Sequence, residues 1–216
     1  MPRPRLHDVD AMLDAAEHLV GSGGPAALTL RSLAHDTGAP VGTLTHAFGS
    51  RDALVARLWL RAASAFLDRQ TARVDTVSTA GDRGEAAVVR AALEPLTLLA
   101  ERPDTAAVLL GYRREDLLGP DVPAALAAEL GALDQRFVAL LVRLAQALWG
   151  RGDRAAVEAV TVCVVDLPTG LLRRHLRTGA GVPAETATHL RAAVRGVLAL
   201  GAPPTRKGTI RAHSRP

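Results

Sequence analysis

The sequence predicts an all-α fold, and the balance between helix-forming and strand-forming residues carries that prediction. Alanine occurs 41 times in 216 residues and arginine 25 times, and both rank among the best helix formers. Isoleucine occurs once, at Ile210, and aromatic residues make up 3% of the chain, so strong strand formers are scarce. The length predicts one or two domains. The single cysteine, Cys163, excludes an internal disulfide and any zinc site built on two cysteines.

Apolar residues at helical spacing predict about nine helices. They cover residues 6–20, 30–37, 41–47, 51–77, 85–100, 104–118, 122–149, 154–177 and 183–200. Thr29, Ser50 and Asp153 stand directly before three of these helices, where N-cap side chains belong. Pro95 and Pro168 fall inside two others, and we expect Pro95 to kink its helix.

These elements predict three regions. Residues 1–50 form a small three-helix domain, residues 51–202 form a larger helical domain that begins with a long helix, and residues 203–216 form a polar tail that we expect to be disordered. The start of the chain lacks the apolar region of a secretory signal, and the apolar stretches look too short to span a bilayer. We therefore expect a soluble, cytoplasmic protein with no membrane partner.

The net charge of +4 and the sequence pI of about 10.4 suggest nucleic-acid binding, but the distribution of the charge weakens that argument. Residues 1–60 carry five arginines and six acidic residues, whereas residues 203–216 carry four basic residues and no acidic one. The whole excess equals the charge of the tail. The charge therefore does not predict DNA binding, and only the pattern of particular residues can.

That pattern lies in the second and third predicted helices. A helix-turn-helix needs an apolar and a small residue side by side in its first helix, and Leu33 and Ala34 supply them. Gly38 falls at the turn, where a positive φ is expected, and Leu44 falls where the second helix enters the core. Thr37 matches poorly, because its position is normally apolar. An ordinary helical hairpin fits the same spacing and stays open as the alternative.

The stretch LTLRSLAHDTGAPVGTLTHAFGSRDALV resembles the DNA-binding signature of the tetracycline-repressor (TetR) family. The similar parts are T-x-R-x-L-A, a turn glycine, G-T-L, F-x-S-[KR] and an apolar helix after it, and together with the first helix they cover residues 6–60. Beyond them the chain is similar only in its plan of long helices. Thr45 replaces the family's usual tyrosine, which contacts the DNA backbone. Ala47 replaces a frequent histidine, while a histidine stands one place earlier, at His46.

The resemblance implies a DNA-binding domain whose third helix enters the major groove. The candidate DNA-binding residues are Thr29, Arg31, Val41, Gly42, Thr43, Thr45, His46 and Arg51. We expect the first two and the last to contact phosphates. The five between them are expected to face the groove, where hydroxyl and imidazole groups can hydrogen-bond to base edges.

The larger domain is predicted to dimerise and to sense a small molecule. Apolar stripes on the last two helices, within residues 154–200, would form a four-helix bundle with a second copy, as TetR-like proteins do, or would pack inside one protomer. The candidate effector-binding residues are Phe66, Tyr112, Phe137, Cys163 and Asp166. The aromatic ones serve equally well as core packing. Asp166 stands in an apolar run, so we expect a buried carboxylate with a partner.

The resemblance thus implies a dimeric, ligand-responsive transcriptional regulator, most simply a repressor that a small molecule releases from a palindromic operator. A regulator controlled by a protein partner or by no ligand, and a helical adaptor, are the alternatives. The seven histidines are scattered without metal-ligand spacing, and no glycine-rich phosphate loop follows a strand. We therefore expect no enzymatic activity, no metal site and no cofactor.

Overall fold

The computed structural model describes residues 8–76, 83–178 and 181–204, and every regular element in them is helical, as predicted. The helices are α1 (Val9–Gly23), α2 (Leu30–Thr37), α3 (Val41–Phe48), α4 (Arg51–Asp75), α5 (Arg83–Glu101), α6 (Pro103–Ala106), α7 (Arg114–Leu117), α8 (Ala124–Trp149), α9 (Arg154–Thr161, extended to Thr178) and α10 (Thr186–Leu198). Residues 205–216, most of the predicted tail, lie outside the described residues, as do residues 6 and 7 of the first predicted helix.

The continuous helix predicted over residues 104–118 is wrong. After α6 the chain makes a π-helical segment, Ala107–Gly111, and then becomes extended at Tyr112, with φ −127° and ψ 157°. The break lets the Tyr112 ring and Leu117 pack against the core formed by α1–α4. Burial of these side chains therefore outweighs the helix propensity of the segment.

The predicted helix over residues 154–177 is continuous but not uniform. A π-helical segment, Val162–Asp166, joins its first part to Leu167–Thr178, and Pro168 is the second residue of that last part. The stretch Arg154–Arg173 has a mean hydropathy of 1.7 and is 33% buried. By length and composition it would cross a bilayer, which corrects the expectation that the apolar stretches are too short. An apolar helix at the core or interface of a soluble protein meets the same criterion.

Two hydrophobic cores meet along α4. The smaller core holds side chains from α1 to α4, and we call these four elements up to residue 58 the head. Its buried members include Met12, Leu13, Val20, Leu28, Leu33, Leu44, Phe48, Leu54 and Leu58. The larger core joins α4 to α5, α8, α9 and α10, and we call the described chain after residue 58 the body. The half-buried Trp59 packs against both cores, so α4 is the element that connects them.

Buried ion pairs hold α4 against α5. The Glu94 carboxylate is 1% exposed and accepts from Nε of Arg69 at 3.1 Å, with Nε of Arg73 at 3.2 Å. A second close approach lies between the start of α5 and the end of α8, where a Cβ on Gly84 would come within 2.5 Å of the Leu148 Cα. The body thus depends on a glycine at this crossing.

Candidate nucleic-acid interface

The turn between α2 and α3 is built from local signals at both ends of α2. The Thr29 hydroxyl accepts from the Ser32 amide at 2.9 Å, and the Ser32 hydroxyl accepts from the Thr29 amide at 2.9 Å, which forms a capping box. At the other end, Gly38 has φ 68° and ψ 6°, the left-handed conformation that a turn glycine supplies. The predicted helix over 30–37 and its turn are therefore confirmed.

Thr37 fits its position in spite of the poor match to the pattern. Its hydroxyl donates to the Leu33 carbonyl at 2.7 Å and accepts from the Ala39 amide at 3.3 Å. A half-buried hydroxyl with both a donor and an acceptor role filled carries little desolvation cost. The threonine thus replaces an apolar contact with two hydrogen bonds that hold the turn.

Helix α3 presents one buried and one exposed face. Leu44 and Phe48 are 0% and 3% exposed and anchor the helix in the head core. The opposite side carries the predicted groove-facing residues: Val41, Gly42, Thr45 and His46 are exposed, and Thr43 is half-buried. These residues are therefore accessible on the side of α3 that faces away from the head core.

The polar groups on this face differ in the hydrogen bonds that they already make within the chain. The Thr45 hydroxyl donates to the Val41 carbonyl at 3.0 Å, so its oxygen can still accept a hydrogen bond. Pro40 precedes α3 without a side-chain cap, so the first-turn amides of Val41 and Gly42 have no partner within the helix. Such amides, with those at the start of α2 beside the exposed Arg31, are suited to phosphate oxygens.

Arg51 holds the head together from the start of α4. Its Nε donates to the Leu28 carbonyl and its Nη2 to the Pro25 carbonyl, both at 2.8 Å. These bonds fasten the loop that precedes α2. The phosphate contact expected of Arg51 would therefore fall to Nη1 and to the second N–H of Nη2, and Nη1 lies 3.9 Å from an Asp52 oxygen.

Three of the six acidic residues of the head lie against an arginine of α4. Arg61 lies 2.9 Å from oxygens of Asp14 and of Glu17, and Asp10 lies 3.9 Å from it. Because these three carboxylates lie on the side of α1 that meets α4, the negative count of the head does not describe the surface of α3.

Glu17 also links the head to the body. Its carboxylate is 7% exposed, and its second oxygen accepts from the Thr105 hydroxyl at 2.7 Å. At the next residue of α1, Nδ1 of His18 lies 3.1 Å from an Asp104 oxygen. A Cβ on Gly21 would come within 2.2 Å of the other Asp104 oxygen, so α1 and α6 are in close contact.

A second connection lies at the start of α4. The Asp52 carboxylate accepts from the Asp121 amide at 3.2 Å, in the loop before α8, and a Cβ on Gly119 would collide with it. Arg114 of α7 lies 4.7 Å from the centre of the Trp59 ring and donates to Asp134 at 2.7 Å. The body therefore contacts the head both at α1 and at the start of α4.

The five candidate effector residues are not brought together. Phe66 packs in a small core of α5, α6 and α9, Tyr112 in the head core, and Phe137 and Cys163 in the body core. Burial raises the pKa of the Cys163 thiol to about 11. Asp166 is exposed in the protomer, which corrects the expectation of a buried carboxylate: its position in the π-helical segment faces it away from the apolar side.

None of these five residues lines either of two grooves in the described part of the chain whose volumes are of effector size. The first, of about 440 Å³, runs between α4 and α8 and is walled by the ion pairs Arg136–Asp68 and Arg143–Asp75. The second, of about 520 Å³, lies among α1, α5, α6 and the end of α9, and its lining is mainly apolar.

The apolar stripes of the last two helices are partly buried within the protomer and partly left at its surface. Val160, Val164, Leu172, Leu190, Val194 and Leu198 are buried within the protomer. Val157, Leu167, Leu171, Ala193 and Val197 are half-buried, and Val162 beside them is 37% exposed. Part of each stripe is therefore core of the single chain, and the rest is apolar surface that this chain leaves uncovered.

Comparison with known proteins agrees with this geometry. Residues 12–58 match the family described as bacterial regulatory proteins, tetR family. A TetR-like regulator from Rhodococcus sp. RHA1 is 16% identical with a TM-score of 0.64, over 92% of this chain and 98% of that one. A TetR-family regulator from Streptomyces coelicolor is 20% identical with a TM-score of 0.64, over 89% and 98%.

The regulator FadR from Bacillus subtilis, solved in complex with stearoyl-CoA, is 14% identical with a TM-score of 0.62, over 89% of this chain and 97% of that one. At these identities the similarity establishes the fold. No curated protein matches the sequence.

Proposed function

Since the chain belongs, through its domain at residues 12–58, to the tetR family of bacterial regulatory proteins, we propose that it is a dimeric transcriptional repressor. In this proposal it binds a palindromic operator and is released by a small molecule. The observation that carries the proposal is the two-faced helix α3. Leu44 and Phe48 are buried, while Val41, Thr45 and His46 are exposed behind a capped, glycine-closed turn.

Operator reading is assigned to α3 and to the start of α2. Thr43 and Thr45 offer oxygens and a methyl group to base edges, and His46 offers an imidazole. Arg31 and the first-turn amides of α2 and α3 face phosphates, and Thr29 supports them by capping α2. With so few positive groups in one head, a single copy binds weakly, and two copies give the affinity and the sequence selectivity.

In this proposal the second copy packs against the surface of α9 and α10. The stretch Arg154–Arg173 is apolar along its length, yet only 33% of it is buried by its own chain. Val162 and the half-buried members of the stripes lie on that surface. Association would remove them from water and place two α3 helices roughly 34–36 Å apart, the spacing of successive major grooves.

Release by a small molecule is assigned to the contacts between body and head. A ligand acts only if it binds one arrangement of the protomers better than the other. Glu17 with Thr105 and Asp52 with Asp121 supply two contacts through which the body can reposition the head. A fold neighbour crystallised with stearoyl-CoA supports a ligand-binding body in general.

The test is fluorescence anisotropy with DNA from the promoter of this chain's own gene. We expect specific binding that saturates at two protomers per site, and loss of binding for Thr43→Ala combined with His46→Ala. The matched control is His189→Ala, which removes an exposed imidazole on α10. Binding of the double variant equal to that of the wild type would refute the assignment of α3. Specific binding that no small molecule weakens would favour a protein partner or a regulator without a ligand.

A further inference from the structure

The groove of about 520 Å³ between head and body has a distinctive lining. Leu96, Leu99, Ala107, Leu176 and Val182 form its walls, and they continue the small core that also holds Phe66. Its volume lies in the range of ligand pockets, and its wall is apolar with a few polar groups, the usual character of such sites.

Asp104 is the one charged side chain among the described residues that line the groove, and His175 is the other titratable one. The Asp104 carboxylate is 42% exposed, so it is accessible at the edge of an apolar surface. The other groove differs, because its carboxylates, Asp68 and Asp75, are each matched by an arginine. An apolar wall that ends in a carboxylate is complementary to a molecule with an apolar body and a positive group.

We infer that this groove binds a lipophilic organic cation, whose charged group takes the Asp104 carboxylate from His18. His18 belongs to α1 of the head and Asp104 to α6 of the body, and their atoms lie 3.1 Å apart. A cation on Asp104 replaces that contact and so loosens one attachment of the head. Gly21 also lines the groove, so a molecule bound there touches α1 directly. The inference deepens the proposed function, because it rests on a ligand-responsive regulator and names the class of ligand.

The probes are decylammonium and decanoate, which share an alkyl chain and carry opposite charges. Isothermal titration of the full chain, without DNA and below the micelle concentration, is expected to show decylammonium binding at least roughly tenfold tighter than decanoate. Asp104→Asn keeps the shape of the side chain and should weaken decylammonium binding roughly tenfold. Asp68→Asn is the matched control in the other groove and should leave it unchanged.

Two further variants distinguish the contribution of the apolar groove to binding from that of the Asp104 carboxylate. Ala107→Trp fills the groove and should weaken both probes, with circular dichroism to verify folding. His18→Ala removes the competing imidazole and should bind decylammonium at least as tightly as the wild type. Equal binding of the two probes, or wild-type binding of decylammonium by Asp104→Asn, would overturn the inference. Because titration needs no DNA, a chain that binds decylammonium but no promoter would contradict the proposed function and leave the groove assignment standing.

Discussion

Replacement of Arg51 by alanine distinguishes a residue that holds the head together from one that contacts DNA. The side chain donates from Nε to the Leu28 carbonyl and from Nη2 to the Pro25 carbonyl, both at 2.8 Å. Hydrogen bonds from a charged donor contribute about 1.5–3 kcal/mol each, but the side chain is 40% exposed, so the lower end applies. With two such bonds lost, we expect Arg51→Ala to cost about 3 kcal/mol, which lowers Tm by about 6–12 °C in a chain of this length.

The assay combines thermal unfolding with promoter affinity measured at several salt concentrations. Arg51→Ala should weaken DNA binding because the loop before α2 is no longer fastened, while the slope of log affinity against log salt stays the same. Arg31→Ala is the matched control: Arg31 is exposed, so its loss should leave Tm unchanged and reduce the slope by about 0.9, the value for one phosphate contact. An unchanged Tm together with a slope reduced by the same amount in Arg51→Ala would refute the reasoning.

Three further predictions concern packing and burial. Leu44→Ala should destabilise the head by about 2–5 kcal/mol and abolish promoter binding, as urea unfolding and anisotropy would show, because its side chain is 0% exposed. Gly84→Ala should cost about 1–3 kcal/mol in urea unfolding, since the added Cβ would meet the Leu148 backbone at 2.5 Å; a stability equal to that of the wild type would contradict the close crossing. Burial raises the pKa of Cys163 from 9.0 to about 11, so its stabilising contribution is present below pH 9 and is lost as the pH rises towards 11. Native protein at pH 8 should accordingly resist a thiol reagent that labels the unfolded chain at once.

The parts of the fold that the sequence predicted well depend on neighbouring residues. Helix α2 was predicted to the residue because the Thr29 cap and the left-handed Gly38 act within one turn of its ends. Leu44 was assigned to the core because its spacing from Leu33 in a helix-turn-helix leaves few alternatives. The break at Tyr112 could not be predicted in the same way, since its cause is packing against the head core.

The residues of the candidate site likewise divide into those that neighbouring residues predict and those that depend on distant contacts. The exposed residues of α3 follow from the period of a short helix, and five of the predicted DNA-binding residues lie on it. The role of Arg51 depends on carbonyls 23 and 26 residues earlier in the chain, which no local pattern reveals. The effector candidates were chosen for their size or rarity, and the structure distributes four of them among three cores and leaves Asp166 exposed.

The sequence by itself determined an all-α chain with a capped helix-turn-helix, because helix propensity, caps and turn glycines act over a few residues. The small excess of positive charge contributed nothing to that result. Only the tertiary structure decided which groups meet: His18 with Asp104, 86 residues apart, and Glu17 with Thr105, 88 residues apart. Such contacts arise when helices pack, and packing depends on the shapes and volumes of whole surfaces. The groove and the links between head and body therefore became visible only in three dimensions.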